Sequence, residues 1–223
     1  MVELTPNILV SVSGRPKCGK THFAMTFPDP IKLFSFDLGA KLVRAKFPDK
    51  QIDIVDYPLP VVDSLSGENP WAEPFWKQIR DDIYGAIDSG EYQTIAVDPC
   101  SVVWDVCRFS CAEESNRAKL GKARDYGEPN ARMRGFFLKA ALAGVNLVVT
   151  SYLKDEYKND LPTGNQILDG WKHTISLVDL HLTLERVGKK NKATIEDSRF
   201  GFSLIGHTFD LPTYDDLAVL LAI

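Results

Sequence analysis

"SGRPKCGKTH", residues 13–22, decides how the chain is read, because Gly14 and Gly19 stand five residues apart and Lys20 and Thr21 follow directly. This is the pattern G-x-x-x-x-G-K-[ST], in which backbone N–H groups turn inward around phosphates. The apolar run "NILVSVS" (7–13) before it reads as a buried strand, and a helix is predicted to start near Gly19. Residues without a Cβ are needed where the loop is tight, and the start of a helix adds positive potential. Arg15, Pro16, Lys17 and Cys18 complete the expected phosphate cradle, with His22 in the first helical turn. Lys20 would reach the β- and γ-phosphates of ATP, and Thr21 would hold Mg²⁺ through its hydroxyl. A chance match in a chain of this length is on the order of 1% at ordinary glycine usage, so a ligand-free turn is the weaker reading.

Outward from that loop, strands and helices alternate. "IKLFSFD" (31–37) and "TIAVD" (94–98) are short apolar runs closing on Asp37 and Asp98, and "IDIV" (52–55) is a further short strand. Residues 57–70 are rich in Pro, Gly, Ser and Asp and read as a long surface loop. Trp76, Ile79, Ile83 and Ile87 then recur at helical spacing up to Gly90. A helix through "ARMRGFFLKAALA" (131–143) leads into the strand "GVNLVVTS" (144–151). The expected fold is α/β, a mainly parallel sheet flanked by helices, with ligands at the carboxyl ends of the strands. After residue 173 the closely connected runs "ISLVDLHLTLERV" and "KATIEDSRFGFSLI" predict an antiparallel extension, capped by a helix in "TYDDLAVLLAI". One domain over residues 1–223 is expected.

The 223 residues carry a net charge of −4, with 44% hydrophobic and 25% charged residues, which excludes global disorder and any whole-surface basic footprint. No apolar run approaches the roughly 18 residues of a membrane span. The start "MVELTPNILV" lacks a signal-peptide pattern, so a cytosolic protein is expected. Cys18, Cys100, Cys107 and Cys111 form no C-x-x-C pair. Cys107 and Cys111 share a helical face, but zinc sites with fewer than three protein ligands are rare, and reduced thiols are the expectation.

Asp98, ending a buried strand, fits the second metal-side carboxylate of a phosphate-binding loop, acting on Mg²⁺ through water; the alternative is a plain helix-capping acid. Pro99 follows it, so no adjacent Glu can activate water. Asp37 is the best-placed candidate base. His173, His181 and His207 lie on strand-like segments with no Ser or Cys partner that spacing identifies.

The order of these parts resembles the RecA-like ATPase core, and most closely the short bacteriophage NTP-binding proteins of single-strand annealing and recombination. The likeness spans nearly the whole chain, with the phosphate loop as its specific motif. It implies that the strand after Asp98 ends in γ-phosphate sensors, here Thr150 and Ser151, followed by Tyr152 where the family often has Gln or His. It further implies two loops along a single-stranded DNA path. The first is "SNRAKLGKARDYGEPNARMR" (115–134), with Arg117, Lys119, Lys122, Arg124, Arg132 and Arg134. The second is "YLKDEYKNDLPTGNQ" (152–166), with Lys154 and Lys158 among Tyr152 and Tyr157, although Asp155, Glu156 and Asp160 dilute its charge. An ordinary solvated basic face is the competing reading of both.

By the same resemblance, Lys172 or Arg199 would reach a neighbouring subunit's γ-phosphate, a charge worth roughly 10³–10⁵ in rate. The implied partners are single-stranded DNA, further copies of the chain on DNA or in a ring, and a single-strand-binding or other recombination protein. The implied location is the cytoplasm, that of the host for a phage protein. RecA's docking segment before the loop has no counterpart in the 13 residues here, so filament formation by that route is not expected. The rival readings are a small-molecule or nucleotide kinase with residues 117–134 as an arginine-rich lid, and a nucleotide-dependent adaptor without turnover.

Overall fold

The computed structural model describes residues 7–60, 71–115 and 122–223. Strand β1 (Leu9–Gly14) leads into α1 (Lys20–Ala24), β2 (Ile31–Ser35) into α2 (Ala40–Arg44), and β3 (Ile52–Asp56) precedes α3 (Ala72–Ser89). Next come β4 (Thr94–Asp98), α4 (Cys100–Glu114), α5 (Gly127–Ala143) and β5 (Asn146–Lys158). The chain finishes with β6 (Leu161–Asp169), α6 (Thr174–Leu177), β7 (Leu180–Val187), β8 (Lys190–Ser198), β9 (Thr208–Asp210) and α7 (Tyr214–Leu221).

The strands lie in the order β3-β2-β4-β5-β1-β7-β8-β9, with β6 paired to β5 outside that row. Every pairing from β3 across to β7 is parallel, so the carboxyl ends of these strands share one edge. Strand β1 sits between β5 and β7, and β5 separates it from β4. The expected mainly parallel α/β sheet is therefore present, with β8 and β9 as its antiparallel extension.

Successive residues of the buried strands point to opposite faces and feed two apolar layers. Phe34, Val97 and Val149 pack with Ile79 of α3, Val103 of α4 and Phe137 of α5. Their neighbours Leu33, Ala96 and Val148 pack with Phe23 of α1 and Leu217 of α7. The periodic face predicted for α3 is buried as expected. Its first turn is held by α4, where the Glu113 carboxylate accepts from the backbone N–H groups of Trp71, Ala72 and Glu73. That carboxylate satisfies three of the donors a helix start leaves orphaned.

Three expectations are corrected. The strand read as 144–151 runs on to Lys158 and turns back as β6, so the second predicted loop is an antiparallel hairpin. Its turn is Asn159–Asp160, both at positive φ (53° and 61°), the pattern of a two-residue hairpin. Strand β7 runs parallel to β1, so the antiparallel extension begins only at β8, and the residues before β7 form the short helix α6. Helix α5 begins at Gly127, earlier than its apolar spacing indicated. Of the expected surface loop, residues 61–70 lie outside the described residues.

Between β1 and β7 lies a buried polar cluster that spacing alone did not reveal. His181 shares a hydrogen bond through Nδ1 with Ser11 Oγ at 3.2 Å and another through Nε2 with Ser13 Oγ at 3.4 Å. Burial lowers its pKa to about 4, against a smaller opposing pull from Asp197. The unfolded chain, with an ordinary His pKa near 6.5, binds the proton first, so this contribution is complete above about pH 6.5 and is lost as pH falls toward 4. Chemical denaturation at pH 7 and pH 4 is expected to show a loss of roughly 3 kcal/mol from this group. In His181→Gln that part of the acid sensitivity disappears.

Candidate functional site

The loop between β1 and α1 is shaped by two close approaches. A Cβ on Gly14 would lie 2.4 Å from the Leu184 carbonyl oxygen and 2.6 Å from Cys18 Sγ. Gly19 has φ +99°, and a Cβ there would meet the Asn191 side-chain nitrogen at 2.4 Å. At Gly14 the obstacle is the β7 backbone itself, whereas at Gly19 the Asn191 side chain can turn aside and it is the positive φ that favours a residue without a Cβ. Arg15, Pro16 and Lys17 are exposed and Cys18 is buried beneath them. His22 packs its ring on Phe47 at 4.9 Å, and burial lowers its pKa.

Lys20 is only 6% exposed, an unusual state for an ammonium group. Its Nζ donates to the carbonyl oxygens of Gly14 (2.8 Å) and Arg15 (2.9 Å) and lies 4.8 Å from the centre of the Tyr152 ring. Desolvation lowers its pKa, opposed by Cys18, Asp98 and Asp37. Tyr152 Oη in turn donates to Asp37 Oδ2 at 3.3 Å, while Asp37 Oδ1 accepts from Gly39 N–H at 3.0 Å. Burial, then the nearby Asp37 and Asp98, pushes the Tyr152 phenol up to about 12. Tyr152 therefore stays a neutral donor at physiological pH.

Asp98 is 1% exposed and completes the site from β4. It accepts from Thr21 Oγ1 at 2.6 Å through one oxygen and from Thr150 Oγ1 through the other. Desolvation raises its pKa against these two hydrogen bonds. Ser151, paired in register with Ser13, is buried beside them. A hydroxyl and a carboxylate facing each other are hard oxygen donors of the kind Mg²⁺ prefers. With the tight backbone approach at Gly14 and the positive φ of Gly19, this donor set fits a magnesium–triphosphate group. Thr21 and Asp98 are the residues that would hold the metal.

The chain thus brings Gly14, Lys20, Thr21, Asp37, Asp98 and Thr150 to one edge of the sheet. Sequence reasoning missed two neighbours of the loop, Asn191 and the lysine-covering ring of Tyr152, because only the fold brings such distant residues to Gly19 and Lys20. It also missed Gln166 of β6, whose side-chain amide lies 2.9 Å from Arg15 Nη2 and accepts from it with its oxygen turned to that side.

The remaining candidates are spread wider. Arg199 lies at the opposite edge of the sheet, donating to the Ser176 carbonyl at 2.8 Å and facing Asp179 at 3.4 Å, whose other oxygen accepts from Leu9 N–H. Lys172 is exposed on the wall of a separate cavity. Arg132 is engaged by Glu114 (2.6 Å), Glu128 (2.9 Å) and Ser110 (3.2 Å), a set of contacts that joins α4 to α5. Lys122, Arg134, Lys154 and Lys158 are exposed, Lys154 beside Asp169 at 3.0 Å. Arg117 and Lys119 lie outside the described residues, and the chain is described at Arg124 only as backbone.

A strand, a glycine-bounded turn and a lysine-bearing helix, set against a buried strand-end carboxylate, define a P-loop nucleotide-binding domain. A family model described as an AAA domain matches residues 7–197, and the chain belongs to that family of ATPase domains. A search among curated proteins finds no match. Nucleotide binding and hydrolysis follow at the level of the family. Among the described residues no helix is long and apolar enough to cross a membrane.

Lys20→Ala is expected to lower nucleotide affinity or turnover at least tenfold while the thermal unfolding transition is retained, since the ammonium's protein partners are carbonyls that water can serve. Titration with a fluorescent ATP analogue, beside a melting curve, measures both.

Proposed function

We propose that the chain acts as one domain that binds ATP with Mg²⁺ and hydrolyses it, and that its nucleotide state governs contact with single-stranded DNA in recombination, annealing or repair of the bacteriophage type. The observation that carries the DNA part is the continuity of β5. The same strand holds Thr150 against Asp98, passes Tyr152 over Lys20, and runs on into a hairpin bearing Lys154, Tyr157 and Lys158 on its exposed surface.

In this reading the loop from Gly14 to Gly19 holds the phosphates through the backbone N–H groups of its residues other than Pro16, and Lys20 leaves the Gly14 and Arg15 carbonyls for the β- and γ-phosphate oxygens. Mg²⁺ supplies neutralisation of charge on those oxygens. Thr21 and Asp98 would hold that ion. Asp37 orients the attacking water, and Tyr152 holds Asp37 in place. Water bonds to the γ-phosphorus as the bond to ADP breaks, and the proton passes to Asp37 or solvent. Catalysis is then positioning and charge matching rather than covalent chemistry.

Thr150 and Ser151 report the γ-phosphate to the hairpin, because Thr150 shares the carboxylate that faces the metal. Arg199, at the edge opposite its own loop, is the better of the two basic candidates for completing a neighbour's site on self-association. Lys172 lines a different cavity. The kinase alternative needs arginines free to close as a lid, and Arg132 is instead bound by two glutamates.

Phosphate release measured with and without single-stranded DNA tests this reading. Clear stimulation is expected; phosphoryl transfer to a nucleoside with no effect of DNA would refute it. If Lys122, Arg134, Lys154 and Lys158 each meet one phosphate, log affinity should fall against log salt with a slope of roughly −3. A slope near zero removes them from the interface.

A further inference from the structure

A cavity of about 480 Å³ lies between α4, the turn before α5 and the base of the β5–β6 hairpin, within the roughly 300–1,000 Å³ usual for small-ligand sites. Its walls are aromatic. Trp104 of α4 has its ring centre 6.4 Å from that of Tyr126 and 6.5 Å from that of Trp171. Asn130 accepts from Trp171 Nε1 at 2.8 Å, which orients its amide and leaves the NH₂ group as a donor. Arg108 stands over the Trp104 ring, its centre 5.6 Å away, and its Nε is a buried donor with no partner among the described residues.

The rim carries three bases, Arg108, Lys154 and Lys172, against two acids, Asp105 and Asp169, and the bases are not equivalent. Arg108 and Lys154 have Asp105 and Asp169 beside them, whereas Lys172 is exposed with no ion-pair partner among the described residues. The two segments that the sequence marked for strand contact meet here, since Tyr126 comes from the first and Lys154 from the second. The cavity is also joined to the nucleotide site. Ser101, one turn beyond Asp98, accepts from Tyr152 N–H at 3.1 Å and donates to the Asp169 carbonyl.

We propose that this cavity takes one nucleobase of a single strand, stacked on Trp104 and Tyr126, with Lys172 on the adjoining phosphate. The inference rests on the single-strand reading above and assigns it a base-holding site that the exposed lysines alone do not provide. A flat π-system with acceptors on its edge and an anionic tail matches ring walls, the Asn130 and Arg108 donors and a cationic rim together. An apolar side chain or a bare anion would match only one of these. Stacking reads every base alike, so the site is tolerant of sequence. Through Ser101 and Tyr152 its shape follows the state of the loop beside Lys20.

The test titrates the full chain, with a non-hydrolysable ATP analogue and Mg²⁺, against oligodeoxythymidylate and against an abasic oligomer of the same length. Binding of the thymidylate strand is expected to quench tryptophan fluorescence and to weaken roughly tenfold or more in Trp104→Ala, with Trp104→Phe restoring most of the loss. The abasic oligomer should bind wild type and Trp104→Ala alike. Lys172→Ala, changed at an exposed position that leaves the core intact, should reduce the salt slope by about 0.7. If wild type binds thymidylate and neither Trp104→Ala nor Lys172→Ala changes that binding, the cavity assignment is overturned while the single-strand reading stands. Equal weakening of the abasic oligomer in Trp104→Ala also overturns stacking. If wild type binds neither oligomer, both readings fall.

Discussion

The organisation of the site depends on one buried carboxylate. Asp98 has almost no contact with water, and a charge in that position is tolerated only if its oxygens are hydrogen-bonded. Both are: one by Thr21 from the helix after the phosphate loop, the other by Thr150 from the strand between β1 and β4. Three segments far apart in the chain are thereby fixed around a single group. Removing either hydroxyl would leave a buried acceptor short of a partner, which costs about 1–3 kcal/mol. In the proposed reading the same carboxylate, with the Thr21 hydroxyl beside it, would hold a magnesium ion.

Lys20 is handled in the same way. Its ammonium group is almost fully desolvated and is held by two carbonyls and the face of Tyr152, contacts that resemble what a phosphate would supply in strength but not in charge. Cation–π contacts of this kind are worth about 0.5–2 kcal/mol. In the proposed reading a triphosphate would offer a full negative charge in their place. Tyr152 links this lysine to the base of the hairpin, since its ring touches Lys20, its hydroxyl reaches Asp37 and its backbone N–H is bound by Ser101.

The loop, its strand and Asp98 were legible in the sequence because each is a local pattern: glycines at fixed spacing, a β-branched run, an acid ending such a run. The hairpin was not, because the loop expected over residues 152–166 rests on the resemblance rather than on their own pattern. Its signal lay in Asn159–Asp160, a pair suited to the positive φ that a two-residue turn demands. Of the bases read in residues 115–134, Arg132 is held by acids on α4 and α5. Glu128 stands four residues before Arg132 and was visible as its partner, but Glu114 reaches Arg132 only through packing of α4 on α5. The His181 cluster, Asn191 beside Gly19 and the ring over Lys20 join residues more than 100 positions apart, and no spacing rule could have paired them.

The claim on which the rest stands is that the turn from β1 into α1 encloses a triphosphate by its backbone amides. A crystal structure with a non-hydrolysable ATP analogue and Mg²⁺ tests this most directly. The account predicts phosphate oxygens within hydrogen-bonding distance of the backbone N–H groups from Lys17 to Thr21, Lys20 Nζ moved off the Gly14 and Arg15 carbonyls, and the metal held by Thr21 and Asp98. Lys20 still resting on those two carbonyls, with the nucleotide bound at another surface, would contradict it.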